Sequence, residues 1–296
     1  MRHPVASSFL LSLALVGSPA VASEPLIPAD PGSDEEAAAE VPSAESAEAR
    51  LLPFLAESAR EQGVELPLPF GVGTNFLYLQ RDLEVSSVKV ALRGENLREV
   101  DDYLAVDVRT HTYNAMARFD AWVLPFLNVF GLLGYTATTS DVDLTASVPR
   151  LGETSITGSG TSQGLTYGGG GTLAGGYGSF FASVDAIYAI ADIDTLDEKI
   201  NALVLMTRTG WNGKIADVPS RLWVGATYWD TERRVQGSVP TPQGELSFEV
   251  LQGPRHPWNA NVGGQVEFSD HWYGVADLGF NFDDMLAVTA SVGYRF

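Results

Sequence analysis

The chain has 296 residues and no cysteine, and 18 basic against 37 acidic residues give it a formal net charge of −19. The lack of cysteine excludes disulfides, thiol nucleophiles and cysteine-bound metals. The negative charge argues against nucleic acid as a partner, because phosphates would repel the chain. No run of 18 apolar residues could span a bilayer as a helix, so any membrane crossing must use strands.

The first residues are typical of an export signal. Arg2 and His3 precede the apolar run 9–16, and residues 19–22 (Pro-Ala-Val-Ala) provide a small-residue cleavage site. We therefore predict a signal peptide over residues 1–22. The alternative, an N-terminal membrane anchor, is disfavoured because the apolar run is shorter than the ~20 residues that a span needs.

The next two segments differ in composition. Residues 23–45 are rich in proline and acidic side chains, which predicts a disordered leader because such a segment cannot bury a core. Residues 46–63 have helical character, with Pro53 suited to a first turn and Gly63 to the end. This short helix is expected either to pack under the domain that follows or to enter it as a plug.

Strand patterns occupy the remaining domain, residues 66–296. Ten segments alternate between apolar and polar positions, and each has about the 9–11 residues of a tilted membrane-crossing strand. Long and short connections alternate between them, as in barrels with long outer loops and short periplasmic turns. The ten predicted strands are 70–80, 112–123, 127–138, 164–175, 180–190, 200–211, 221–231, 258–268, 272–282 and 285–296.

The last strand carries the clearest pattern. Leu286, Val288, Ala290 and Val292 alternate with smaller or polar residues, and the chain stops on Phe296. With this ending the chain resembles the outer-membrane β-barrel superfamily of Gram-negative bacteria. The resemblance implies an all-β fold, here a ten-stranded antiparallel transmembrane β-barrel, but no reaction or substrate.

Two outward hairpins complicate the strand count. Residues 85–93 with 103–110, and residues 232–239 with 245–251, continue the alternation beyond the predicted crossings. We expect these hairpins to stand above the membrane. If they crossed it instead, the barrel would have twelve strands.

Charged residues in the strands are expected to point inward, because a charge facing lipid near the midplane costs about 2–4 kcal/mol. A barrel of ten strands has a radius of roughly 10 Å, so only a narrow channel would remain between such side chains. The pattern predicts a polar interior rather than an apolar core. The charges would form either a stabilising network or a constriction that selects small polar solutes. The candidates are Arg118, Asp120, Asp185, Arg208, Glu267, Asp277 and Arg295.

Aromatic residues cluster near the predicted strand ends and suggest two interfacial girdles. The alternative is the inward-facing aromatic core of a soluble barrel. The periplasmic set is Phe70, Phe126, Tyr177, Phe180, Phe268, Trp272, Tyr294 and Phe296, and the outer set is Tyr78, Tyr135, Tyr167, Tyr188, Tyr228, Trp258 and Phe282.

Chemical motifs are sparse. His111 and His256 fall near predicted outer ends together with Asp101, Asp102, Asp107, Asp283 and Asp284, so a hydrolase using rim histidine and aspartate residues is one alternative. The glycine run 168–171 lies inside a strand pattern, where glycine permits tight curvature or leaves room for inward neighbours rather than binding phosphate. The acidic residues of 192–198 match no Ca²⁺ loop. We expect no cofactor and no bound metal.

The functional expectation is therefore broad. The pattern favours a structural outer-membrane barrel or a narrow passive channel, with a surface-loop adhesin or receptor as the alternative. Expected partners are outer-membrane lipid, lipopolysaccharide and the barrel-assembly machinery, which the resemblance implies would read Tyr294 and Phe296 of the last strand. The oligomeric state is left open.

Overall fold

The computed structural model describes residues 52–61, 66–92, 98–99, 104–148, 152–194, 199–231, 233–241 and 244–296. The predicted signal peptide and leader, residues 46–51 and 62–63 of the predicted helix, and Asp101 and Asp102 lie outside these ranges. The signal peptide and leader therefore stay predictions.

Within these ranges, one short helix precedes thirteen strands. The helix α1 spans Ala56–Glu61. The strands are β1 (Phe70–Leu92), β2 (Arg98–Glu99), β3 (Leu104–Leu124), β4 (Leu127–Val148), β5 (Gly152–Tyr177), β6 (Phe180–Ile193), β7 (Ile200–Ile215), β8 (Val218–Asp230), β9 (Arg233–Thr241), β10 (Gly244–Pro254), β11 (Trp258–Glu267), β12 (Trp272–Phe280) and β13 (Met285–Arg295).

Ten of these strands close into an antiparallel barrel. The last strand pairs with the first, with Gly71 opposite Arg295 at one end and Arg81 opposite Met285 at the other. The wall runs in the order β1, β3, β4, β5, β6, β7, β8, β11, β12 and β13. The predicted ten-stranded barrel is confirmed. We call the end where β1 begins and β13 finishes the lower end, and the opposite end the upper end.

The strands β9 and β10 do not belong to the barrel wall. β10 pairs with β1 from Leu83 upward, directly beyond the upper end of the β1–β13 pairing at Arg81 and Met285, and β9 pairs with β10. The twelve-strand alternative is therefore wrong, and this hairpin stands above the barrel as expected.

One side of the barrel is much taller than the other. β1, β3, β4 and β5 have 21–26 residues, whereas the other six wall strands have 9–16. Residues 139–163 were expected to form a loop, and this was wrong: β4 and β5 stay paired up to Val148 opposite Gly152. Serine, threonine and glycine dominate this segment and hide its strand pattern. Together with β9 and β10, these extensions form what we call the upper sheet.

The outer surface of the barrel is apolar between two rings of aromatic residues. Leu286, Val288 and Val292 of β13 face outward, whereas Thr289 and Ser291 are buried inside. A closed barrel pairs every strand edge, which is what strands need in lipid. The exposed lower ring contains Phe70, Phe126, Tyr177, Phe180, Phe268, Trp272 and Phe296, and the exposed upper ring contains Tyr113, Tyr135, Tyr188, Trp258 and Phe282.

The N-terminal helix lies at the lower end. The amide of Phe54, just before α1, donates a hydrogen bond of 2.9 Å to the carbonyl of Val123. None of the α1 residues is buried, so the described helix does not fill the barrel. Among the described residues, no helix is long and apolar enough to cross a membrane.

Candidate functional site

The lower half of the lumen holds a network of buried charges. Arg118 Nη2 donates to Asn128 Oδ1 at 3.0 Å, and Asn128 Nδ2 donates to Asp120 Oδ1 at 2.7 Å. Arg295 Nη2 donates to the same Asp120 oxygen at 3.4 Å. Asp120 is therefore shared between two arginines, as a buried carboxylate must be to offset its desolvation.

A second pair lies on the strands β6 and β7. Asp185 accepts hydrogen bonds from Arg208 Nη2 at 2.6 Å and from Thr172 Oγ1 at 2.5 Å. The Arg208 guanidinium lies over the Trp223 ring, 5.4 Å from its centroid. The Trp223 indole in turn donates to Asp277 Oδ2 at 2.7 Å, which ties a third carboxylate into the same network.

Glu267 sits closer to the lower opening. Arg221 Nη2 lies 3.1 Å from Glu267 Oε1, and Arg221 Nε donates to Asn212 Oδ1 at 3.2 Å. About a quarter of the Glu267 side chain is exposed, compared with 7% for Arg221. This pair is the most accessible part of the network.

Glycines in β5 provide the space for one aromatic member. Phe130 points inward and lies beneath the Arg118 guanidinium, 3.7 Å from its ring centroid. A Cβ placed on Gly170 would approach the Phe130 ring to 2.7 Å, whereas one on the outward Gly131 would meet nothing within 4 Å. The expectation that the run 168–171 leaves room for inward neighbours is confirmed.

The upper half of the lumen contains a large apolar cluster on the side of β6 and β7, so the expected polar interior was wrong for that side. A single buried cluster includes Leu79, Ile187, Val204 and Trp229, each at most 1% exposed. β6 and β7 carry apolar residues on both faces in this region, and alternation alone could not show that the inward face was also apolar. The lumen therefore has two levels, a charged one below and an apolar one above.

Polar side chains link three neighbouring strands beside the apolar level. Asn114 Nδ2 donates to Thr136 Oγ1 at 2.6 Å, and Thr136 Oγ1 lies 2.7 Å from Thr166 Oγ1. Thr112 and Thr138 form a similar pair at 2.8 Å. These side chains satisfy one another and so lie buried without charge compensation.

The structure brings the seven predicted lumen residues into the lower level, but sequence reasoning missed several of their partners. Asn128, Trp223 and Tyr273 are buried inward beside the charges, and Arg81 is buried above them. The alternation of β8 could have revealed Trp223. A charged Arg221 must face the lumen, and Trp223 and Trp229 lie on the same face of the strand as Arg221.

The two outer histidines have different environments. His111 Nδ1 lies 3.0 Å from the Tyr78 hydroxyl rather than beside the rim carboxylates. His256 Nδ1 lies 3.2 Å from Asp284 Oδ1 and 3.4 Å from Asp283 Oδ2. Only one of the two histidines therefore meets the aspartates that the sequence suggested.

Exposed ion pairs also occur near the upper end, one on the taller wall and one at the β6–β7 connection. Arg109 makes a two-point contact with Asp82, with Nε donating at 2.7 Å and Nη2 at 3.2 Å. This hydrogen-bonded carboxylate raises the pKa of Arg109 above its ordinary value, and Asp141 and Asp143 add to the effect. Lys199 pairs with Asp192 at 2.9 Å, which likewise raises the pKa of Lys199.

Comparison with known proteins gives a likeness of fold. No protein-family model and no curated protein sequence matches the chain. Solved structures with a similar fold include the outer membrane protein OprG from Pseudomonas aeruginosa, with 10% identity over 78% of this chain and 99% of that chain and a TM-score of 0.42.

Two further examples are the translocator domain of the autotransporter NalP from Neisseria meningitidis and the Pseudomonas putida toluene transporter TodX. The first has 16% identity over 77% of this chain and 88% of that chain, with a TM-score of 0.36. The second has 10% identity over 75% of this chain and 89% of that chain, with a TM-score of 0.34. Such distant likeness carries no activity or substrate to this chain. The closed barrel, its apolar outer band and its aromatic rings are the features of a transmembrane β-barrel.

Proposed function

We propose that this outer-membrane β-barrel is a closed membrane anchor that holds the upper sheet above the outer leaflet, rather than an open pore. The observation that carries the proposal is the filled lumen. Inward side chains of the charged level, such as Arg118 and Asp185, and of the apolar level, such as Ile187 and Val204, are 0–4% exposed. A path for solutes would have to displace both levels.

The charged residues would then act chiefly as a plug. Each of Asp120, Asp185 and Asp277 accepts hydrogen bonds from neighbouring side chains inside the barrel. Breaking such a buried pair is costly, by about 3–5 kcal/mol when one partner is removed. Arg118, Asp120, Asp185, Arg208, Glu267, Asp277 and Arg295 are thus proposed to seal the lower lumen.

The upper sheet supplies the surface for recognition. Among the described strands, β9 pairs only with β10, and residues 152–162 of β5 pair only with β4. A free strand edge can accept an extended peptide segment through main-chain hydrogen bonds. This arrangement supports the adhesin or receptor function that the long hairpins suggested.

A narrow passive channel for small polar solutes is the second candidate. It is favoured by the polar character of the lower lumen and by the partly exposed pair of Arg221 and Glu267 at its opening. For a solute to pass, the apolar level would have to open as well. The channel function therefore requires the apolar side chains of the upper lumen to move apart, whereas the anchor function requires no such change.

Tyr294 and Phe296 are proposed to direct assembly. Their rings stack 6.3 Å apart at the lower end, and Phe296 also stacks on Phe70 at 5.9 Å. The closing strand thus ends in an aromatic cluster that the barrel-assembly machinery could read before closure. We also propose that lipopolysaccharide contacts the outer face of the upper sheet.

An epitope tag tests the orientation on which the anchor depends. A tag inserted between Thr241 and Gly244 should be labelled by antibody on intact cells. The same tag inserted in the β5–β6 turn at Gly178 is the control and should be labelled only after the outer membrane is permeabilised. Labelling of the turn at Gly178 on intact cells would overturn the proposed orientation.

A further inference from the structure

Three potential metal ligands converge at the upper end from two separate connections. His256 lies between β10 and β11, and Asp283 and Asp284 lie between β12 and β13. One ligand atom from each of the three lies within 4.8 Å of the others. The His256 imidazole nitrogen Nδ1 faces both carboxylates, at 3.4 Å from Asp283 and 3.2 Å from Asp284.

The Asp284 carboxylate is the second and independent observation. Its side chain is fully buried, although those of His256 and Asp283 are more than half exposed. Asp284 Oδ1 contacts His256 and accepts a hydrogen bond from Asn281, whereas Asp284 Oδ2 is buried without any hydrogen-bond partner. A buried carboxylate oxygen without a partner is costly, and a cation at this point would satisfy it.

The charge balance leaves room for a divalent ion. Arg81, which is buried, interacts electrostatically with Asp284 and offsets one of the two carboxylate charges. With a neutral imidazole, the four groups together keep one negative charge. A proton on His256 could serve only one carboxylate at a time through Nδ1, whereas a metal ion can bind the nitrogen and both carboxylates together.

We propose that His256, Asp283 and Asp284 bind a divalent first-row transition-metal ion, with Zn²⁺ as the best-suited member. An imidazole nitrogen with two carboxylates suits Zn²⁺, while Ca²⁺ and Mg²⁺ prefer sites made of oxygen alone. Three protein ligands leave a fourth tetrahedral position for water.

The metal would join two parts of the upper end that chain connectivity keeps apart. The carbonyl of Asp284 accepts a hydrogen bond of 2.8 Å from the amide of Asp82 in β1, so the ligand turn is attached to the closing seam. His256 follows β10, and β10 pairs with β1 directly above the last residues of β1 that pair with β13. Zn²⁺ would therefore fasten the β9–β10 hairpin to the seam of the barrel.

Metal titration of the folded, detergent-solubilised barrel tests the site. After treatment with EDTA, the wild-type protein should bind one Zn²⁺ per chain in calorimetry, and Co²⁺ should give a visible absorption band from a protein-bound ion. His256→Ala should weaken Zn²⁺ binding at least tenfold and abolish the Co²⁺ band. His256 is largely exposed, so this variant should keep the heat-modifiable migration of a folded barrel.

The controls separate this site from other metal contacts. His271→Ala, which changes a histidine at the lower end, should leave both signals unchanged. Asp283→Asn should weaken binding in the same direction as His256→Ala. Absence of Zn²⁺ binding to the folded wild-type protein, unchanged binding in His256→Ala, or equally tight binding of Ca²⁺ would overturn the proposal.

Discussion

Arg208 donates a 2.6 Å hydrogen bond to Asp185 across neighbouring strands inside the barrel, and the two side chains are 3% and 0% exposed. The pair joins β6 to β7 at the charged level. Because neither group reaches solvent, each depends on the other for compensation of its charge.

Removing one charge of this pair should strongly destabilise the barrel. Asp185→Asn leaves the Arg208 guanidinium buried without its carboxylate, and we expect a loss of about 3–5 kcal/mol in the free energy of unfolding. Denaturant unfolding in lipid vesicles, followed by tryptophan fluorescence, measures this loss. Asp192→Asn, which removes the partner of the exposed Lys199, is the matched control and should leave the unfolding midpoint unchanged.

The outward face of β6 should respond to charge according to its depth in the membrane. Ala186 and Ala182 both face outward, but Ala182 lies only two residues from Phe180 at the lower end. Ala186→Arg should cost about 2–4 kcal/mol and Ala182→Arg about 0–1 kcal/mol. The same unfolding measurement compares them, and equal costs would contradict the assigned membrane band.

The space that Gly170 leaves for Phe130 should be essential. A Cβ at this position would clash with the backbone carbonyl oxygen of Ala186 and lie 2.7 Å from the Phe130 ring. Gly170→Ala must therefore displace both and disturb the Arg118 contact above the ring. We expect a loss of about 1–3 kcal/mol from this overpacking. Gly131→Ala points into open space and should change stability by less than about 0.5 kcal/mol. Unfolding curves of the two variants give the comparison, and a neutral Gly170→Ala would show that neither the β6 backbone nor Phe130 constrains this position.

The β9–β10 hairpin should be dispensable for barrel closure. Its only pairing with a wall strand, β1, lies above the last pair between β13 and β1. Replacing residues 233–254 by a short glycine-serine turn should therefore preserve heat-modifiable migration on a gel. Deleting residues 286–296 removes the closing strand and should abolish that migration. Loss of folding in the first variant would mean that the hairpin helps to close the barrel.

The barrel itself could be predicted from the sequence because each membrane-crossing strand must alternate between residues that face lipid and residues that face the lumen. In β13, outward residues such as Val288 alternate with inward residues such as Thr289, and the period of two has no interruption. The twelve-strand alternative remained open because hairpin strands above the membrane show the same alternation. The register of β1 resolves this: β13 pairs with β1 up to Arg81, and β10 pairs with β1 only from Leu83 upward, so β10 lies above the wall.

The content of the lumen was less predictable. The inward position of Asp185 follows from the cost of a charge in lipid, but its partner Arg208 follows only from the register of β6 against β7. The inward position of an apolar residue such as Ile187 cannot be predicted in this way, because an apolar side chain is acceptable on either face. The meeting of His256 with Asp284 depends on two connections and could not be read from either one alone.

The most direct test of the closed-anchor proposal is an ion-conductance measurement in planar lipid bilayers, made with protein whose folding is verified by heat-modifiable migration. With the charged and apolar levels both in place, the proposal predicts that the wild-type protein inserts without producing unitary current steps. Reproducible current steps of constant amplitude from the folded wild-type protein would contradict it and favour the narrow channel.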